Sequence, residues 1–357
     1  MSLPRGRRVP IEPQSVDAPL TRSAVFLTLT TGGDDTSLDT IRDVLSGLSD
    51  IVKSVGFRDL ASALACTVAI GPGIWDALTG MPRPAQLHPF RPIHGAVHTA
   101  IATPGDLFFH IRAERADLCF ELERLILDAL GDAVTVADET IGFRYFDERD
   151  LLGFVDGSAN PVGQALPDAT IVGEEDPDAE GGSYLVTQKY VHTMAAWNAL
   201  TTEQQEAVIG HRKLDNLELP DAAAPDQKSH KTLTTIVDAD GTEHEILRDN
   251  MPFGRPGAGE FGTYFIGYAR DLSVIERMLE RMFVGDPPGL HDRILDFSTP
   301  LTGTVFFVPP ADMLDALGGD ADEASAAETP IPDTTASEDH SLGLGSLRAP
   351  SSDRSPS

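Results

Sequence analysis

Three side chains in the second half of the sequence are of the types that proton transfer and metal ligation require: Asp156, His230 and Arg248. Asp156 lies in Gly153-Phe154-Val155-Asp156-Gly157-Ser158-Ala159-Asn160-Pro161, a single carboxylate held between glycines. Such a loop either presents an acid–base group from a tight turn or is a turn and nothing more, since Asp and Gly are favoured there for backbone reasons alone. Arg248 opens Arg248-Asp249-Asn250-Met251-Pro252-Phe253-Gly254, directly after a predicted strand end at 245–247. It offers a permanent cation, with a surface ion-pair turn as the plain alternative. His230, in Gln227-Lys228-Ser229-His230-Lys231, is either a ligand or a hydrogen-bonded structural residue. His291 and Asp292 precede Arg293-Ile294-Leu295-Asp296-Phe297, a half-amphipathic stretch that equally suits a helix start.

Several other chemistries are missing. Gly254-Arg255-Pro256-Gly257-Ala258-Gly259 is glycine-rich but lacks the Lys-Ser/Thr ending of a phosphate loop. His244-Glu245 has no second His at zincin spacing, and no Gly-x-Ser-x-Gly elbow occurs. Neither Cys66 nor Cys119 lies in a c-type haem motif, and two cysteines are too few for a disulfide framework.

The whole chain, 357 residues with 41% hydrophobic content, is long enough for two ordinary domains. Its formal net charge of −29 argues against nucleic acid as a partner, because backbone binding needs clustered Lys and Arg. No apolar run reaches the roughly 18 residues a membrane span needs. Arg5, Arg7 and Arg8 are followed by Val9-Pro10-Ile11-Glu12-Pro13 rather than an apolar segment, so no export signal is expected. A reducing cytoplasmic setting follows from the cysteine usage.

The elements that must carry the candidate residues are legible from periodicity. Residues 1–20, with four prolines, read as an extended arm. Alternation predicts strands at 25–30, 66–70 and 105–111, and three-four spacing predicts helices at 37–57 and 117–130. The second half repeats the grammar, with strands from Tyr184, at 232–237 and at 262–270, and helices at 202–212 and through Ile275, Met278, Leu279 and Met282. Gly262 to Arg270 with its helix parallels Gly105 to Ala113 with its own, a weak internal duplication. After Pro310 the composition changes: residues 311–357 hold ten acidic and two basic residues and little aliphatic content, which predicts disorder.

Taken together, the ordered motifs resemble the dye-decolourising (DyP-type) haem peroxidases, most of all their bacterial B subfamily. Gly153 to Gly157 matches the family's Gly-x-x-Asp-Gly signature, Ile246 to Gly254 its distal arginine segment, and Ser229-His230 its proximal ligand position. Asp292 to Val308 resembles its closing helix and strand, so the likeness covers roughly residues 20–310. It implies an α+β fold of two ferredoxin-like halves, each an antiparallel sheet flanked by helices, of the dimeric alpha-beta barrel type. Residues 21–145 would form the first half and 146–310 the second, which would hold haem b non-covalently.

The resemblance also assigns roles. His230 would be the axial iron ligand, with Asp292, or else Asp296, hydrogen-bonded to its other ring nitrogen. Asp156 and Arg248 would meet hydrogen peroxide on the opposite face, the first moving a proton and the second stabilising charge; Asn250 would hydrogen-bond distal water or peroxide. Organic reductants, or Mn(II) drawn by the acidic surface, would then be oxidised one electron at a time, with Trp197 and Tyr190 as relay candidates by residue type. Homo-oligomers, dimeric or hexameric, are expected.

A separate resemblance lies in the tail. Ser341-Leu342-Gly343-Leu344-Gly345-Ser346-Leu347-Arg348 is similar to the peptide that docks cargo inside encapsulin nanocompartments. Leu342, Leu344 and Leu347 would fill apolar pockets on the shell wall, and the acidic stretch before them would act as a tether. The competing readings are a related haem enzyme of chlorite dismutase-like or haem-processing type, and a non-catalytic haem-binding cargo.

Overall fold

The computed structural model describes residues 11–318. Its first strand, β1 (Ser23–Thr30), is buried on both faces because its alternate residues serve two cores. Val25, Leu27 and Leu29 join one cluster, Ala24 and Phe26 another. The helix expected at 37–57 is two helices, α1 (Asp35–Ser46) and α2 (Leu48–Gly56), parted at Gly47. Asp34 caps α1 through the Ser37 amide, and Leu38, Ile41, Val44 and Leu45 form its buried stripe. Strands β2 (Ala65–Ile70) and β3 (Leu107–Ala113), helix α3 (Ala116–Leu130) and strand β4 (Thr135–Phe143) complete the first half.

The second half begins with β5 (Ser183–His192), followed by α4 (Thr202–Ile209) and α5 (His230–Thr234). Strands β6 (Leu247–Arg248), β7 (Met251–Arg255) and β8 (Glu260–Ala269) lead into α6 (Leu272–Phe283). The short β9 (Ser298–Pro300) and β10 (Thr304–Val308) close it. All of these strands join one antiparallel sheet, whose main path runs β6-β8-β5-β10-β2-β3-β1-β4. Each half therefore orders its four main strands second, third, first, fourth, and β10 meets β2 at Phe307 and Ile70. This is the duplicated α+β architecture that the repeated strand–helix grammar and the resemblance anticipated.

The sheet curls until its far ends approach each other. A Cβ on Gly142 of β4 would lie only 2.7 Å from that of Met251 in β7. Helices cover the convex side, while the enclosed side packs Phe26, Phe108, Leu185, Tyr264, Tyr268 and Phe306. The rings of Phe26 and Tyr264 stack 4.2 Å apart.

Three expectations need correction. The first half of the strand predicted at 232–237 is the end of α5, because Ser229 caps a helical turn before the chain extends at Ile236–Val237. The tail does not lose structure at 311: α7 (Ala311–Ala316) follows Pro310 and buries Leu314, with Met313 and Leu317 packed beside it on the core. Residues 11–20 lie outside helix and strand but are not free of the body, since the buried Gln14 donates to the carbonyls of Val68 and Pro309. The targeting peptide at 341–348 and residues 1–10 lie outside the described residues.

One buried charge gives a stability prediction. Glu123 of α3 is 6% exposed and its Oε1 has no hydrogen-bond partner. Burial, helped by nearby Glu139, pushes its carboxyl up to about 7. The folded state thus favours the protonated acid, and a penalty grows as pH rises from the ordinary carboxylate range through 7. Glu123→Gln should stabilise the protein at pH 8 by up to about 3 kcal/mol and change little at pH 4.5, as read by denaturant midpoints. An equal effect at both pH values would contradict this account.

Candidate functional site

A cavity of about 380 Å³ in the second half brings the candidates together: Asp156, His230, Arg248 and Asn250 all line it. Its remaining walls are largely apolar, with Leu152, Phe154, Ile246, Phe265, Met278 and Met282 among them.

Asp156 is aimed by the loop that carries it. Gly153 and Gly157 take φ of +95° and +76°, left-handed conformations that a side chain resists, so the chain can reverse tightly around the carboxylate. Phe154 anchors the loop in a small core with Trp197 and Phe297, its ring 6.2 Å from the Trp197 ring. Arg149 donates to the Gly153 carbonyl at 2.9 Å, and the Asp150 carboxylate accepts the Phe154 amide at 2.9 Å. Burial pushes the Asp150 carboxyl up to about 7, against the pull of that same amide. Asp156 itself accepts from the Gly157 amide at 2.8 Å and from Asn250 Nδ2 at 3.3 Å through one oxygen, Oδ1. Asn250 in turn accepts the Ile266 amide of β8, so it ties the carboxylate to a strand of the main sheet.

Arg248 is held by its backbone. Asn160, at the end of the Asp156 loop, donates to the Arg248 carbonyl at 2.6 Å and accepts its amide at 3.0 Å. The guanidinium Nε is buried without a hydrogen-bond partner, a cation left in need of an acceptor.

His230 begins α5, whose cap Ser229 accepts the Thr232 amide. Its Nδ1 lies 2.6 Å from Asp292 Oδ2, and Asp292 is fully buried, with its other oxygen accepting the Ile294 amide. A carboxylate partner requires the proton on Nδ1, which leaves Nε2 with its lone pair available in the neutral ring. Burial draws the imidazole pKa down, but Asp292 outweighs it and the ring ends above its ordinary value. Between the two carboxylates left open by the sequence, the structure places Asp292 on His230. Asp296 instead accepts from His98 and His291.

The relay candidates fare differently. Trp197 is 1% exposed and donates its indole N–H to the Leu152 carbonyl, so it braces the Asp156 loop rather than reaching the surface. Tyr190 is also buried, lines the cavity and donates to Gln188. Asn160 was missed: it was part of the glycine-rich stretch, but nothing local reveals a partner 88 residues away. The buried group formed by His110, Arg112 and Asp249 was missed for the same reason.

The donor set suits a flat, iron-bearing macrocycle. It provides a basic imidazole nitrogen, apolar walls, and a half-buried guanidinium with a buried, unpaired Nε–H.

Comparison with known proteins agrees. The family model described as Dyp-type peroxidase, N-terminal, matches residues 13–144, and that described as Dyp-type peroxidase, C-terminal, matches 147–313. A dye-decolorizing peroxidase of Mycobacterium tuberculosis is 54% identical over 85% of this chain and 90% of its own length. The structure of DyPB from Rhodococcus jostii superposes with a TM-score of 0.83 at 57% identity, covering 86% of this chain and 98% of that one. Variants of that peroxidase are known in complex with heme, and one in complex with manganese. The encapsulated DyP-type peroxidase of Mycobacterium smegmatis gives a TM-score of 0.82 at 55% identity, over 85% of this chain and 97% of that one.

Proposed function

The chain belongs to the Dyp-type peroxidase family and is a haem enzyme acting on peroxide; from that premise we propose that His230 holds haem b, that Asp156 and Arg248 act on hydrogen peroxide, and that dyes, phenolic compounds or Mn(II) are the one-electron donors. The observation that carries this reading is that His230, paired with the buried Asp292 behind it, lines the same cavity as Asp156 and Arg248.

Bound haem supplies the redox-active iron at which peroxide is reduced and to which electrons return singly. The chain's residues do the rest. Asp292 keeps the Nδ1 proton of His230 in place and makes the imidazole a stronger donor. Asp156 has Oδ1 committed to Gly157 and Asn250, so Oδ2 takes the proton from one peroxide oxygen and returns it to the other. Arg248 brings a guanidinium that stabilises the negative charge that develops as the O–O bond lengthens. Asn250 is a positioning residue for Asp156, with one amide hydrogen left for water or peroxide. The apolar walls keep bulk water from weakening these interactions.

Which distal residue dominates is a measurable question. Arg248→Leu and Asp156→Ala, each loaded with haem, should be mixed with hydrogen peroxide in stopped flow. At least one should react about 10²-fold more slowly. Rates within twofold of the parent in both would overturn the distal assignment.

Packaging is the second part of the proposal. The Ser341–Arg348 sequence and the encapsulated relative support a cargo role inside an encapsulin shell, within the cytoplasm. Among the described residues no helix is long and apolar enough to cross a membrane. Deleting residues 340–357 should abolish co-purification with a co-expressed shell protein while leaving dye turnover intact; unchanged encapsulation would refute the docking role.

A further inference from the structure

Asp296, left over once Asp292 takes His230, has a different setting. Its Oδ1 lies 3.0 Å from His98 Nε2 and 2.9 Å from His291 Nε2, and the three donor atoms all fall within 4.8 Å of one another. The two imidazole rings are 4.8 Å apart and nearly perpendicular. We propose that His98, His291 and Asp296 form a second metal site that takes one divalent transition ion of imidazole-preferring type, Zn²⁺ foremost.

The ligands come from two pieces of backbone, His98 from one and His291 with Asp296 from the other, and each is fixed. His98 ends a turn closed by the Gly95 amide on its own carbonyl, and Gly95 is pressed so closely on the last turn of α6 that a Cβ would run into the Phe283 carbonyl. His291 is held through its carbonyl by Gln227 Nε2 at 2.9 Å. Asp296 ends the short 3₁₀ turn Arg293–Asp296, where Arg293 lies 3.6 Å from Oδ2 and leaves Oδ1 to the histidines. The donors therefore converge before any ion arrives, which lowers the ordering cost of binding.

The spacing suits coordination as well as hydrogen bonding. With Zn–N and Zn–O bonds of about 2.0–2.1 Å, ligand atoms of a tetrahedral site lie about 3.3 Å apart. Two of the three separations here are within half an ångström of that, so a small opening admits the ion. Each imidazole would coordinate through Nε2 as its Nδ1–H tautomer, the proton now shared with Asp296 being displaced. Two imidazoles and one carboxylate favour Zn²⁺ or Cu²⁺ over the hard cations that all-oxygen sites select. The side chains are 25%, 16% and 35% exposed, so water can enter as the fourth ligand. Because His98 belongs to the first half and the other two to the segment that carries Asp292, an ion here would tie the halves together behind the His230 partner.

The test uses full-length, haem-loaded protein treated with chelator and then titrated with ZnCl₂ in a calorimeter. One site per chain is expected, above the weak binding that a surface of this charge gives any cation. His98→Ala and Asp296→Asn should each weaken it by at least about tenfold, with haem content unchanged as the check on folding. Saturating Zn²⁺ should also raise the melting temperature of the parent but not of His98→Ala. If parent and variants bind Zn²⁺ alike, the cluster is a hydrogen-bonded clamp only and the proposal fails. Should His98→Ala lose haem, Asp296→Asn, which keeps a hydrogen-bond acceptor, decides the matter alone.

Discussion

Replacing His230 by alanine should remove the haem. The imidazole is presented to the cavity with Nδ1 fixed on the buried Asp292, and no covalent tether backs it up. Losing the first ligand should exceed the 10–100-fold that losing a supporting hydrogen bond typically costs, so retention through gel filtration should fall by at least about 10²-fold. The intense Soret band would go with it, and peroxide-dependent dye turnover would drop to the level of free haem. Asp292→Asn gives the graded companion: the ring keeps a neighbour but loses the charged acceptor, and haem affinity should weaken by about 10–100-fold. Full haem content, an unaltered Soret band and normal turnover in His230→Ala would overturn the assignment and turn attention to His192, His211 or His244, which line the same cavity.

The second large effect is expected on the enclosed side of the sheet, next to the distal residues in sequence. Inside the curled sheet, the Arg112 guanidinium lies 3.2 Å from Asp249 Oδ2, with both side chains fully buried. Arg112 also donates to the Ser15 carbonyl at 2.6 Å and to Thr67 Oγ1 at 3.3 Å, and His110 hydrogen-bonds the Tyr268 hydroxyl at 2.9 Å. Burial pushes the Asp249 carboxyl up, while Arg112 and then Arg144 pull it back. Burial and the Arg112 charge hold His110 well below the usual histidine range, so beside Arg112 it stays neutral.

Arg112→Met would leave Asp249 a buried acid without its main partner, and should cost about 3–5 kcal/mol in unfolding free energy. The double variant Arg112→Met/Asp249→Leu removes both charges and should recover most of that loss, since buried pairs are often replaceable by apolar side chains. Because Asp249 stands between Arg248 and Asn250, the single variant should also slow the reaction with peroxide. A single variant within about 1 kcal/mol of the parent would show that the pair is not what fixes this turn.

How much of this was readable without coordinates depends on the range over which each signal acts. Strands such as Ser23–Thr30 and helices such as Ala116–Leu130 are written in local periodicity, because burying one face imposes a spacing of two or of three and four. The split at Gly47 and the helical turn at His230 were hidden, since a glycine within an amphipathic pattern and a serine cap weigh little against neighbouring apolar residues. The chemical types of Asp156, His230 and Arg248 were visible, and their order along the chain carried the family likeness.

Residue types, the order of the motifs and the repeated strand–helix unit were thus fixed by the chain alone, because each is a property of neighbouring residues. The choice of Asp292 over Asp296 for His230, the grip of Asn160 on Arg248, and the pairing of Arg112 with Asp249 were decided only by the folded sheet. They join positions 62, 88 and 137 residues apart. No local preference encodes such contacts; they exist because closing the sheet brings the far ends of separate strands and loops into one small, water-poor volume, where each buried charge or polar group must find a partner.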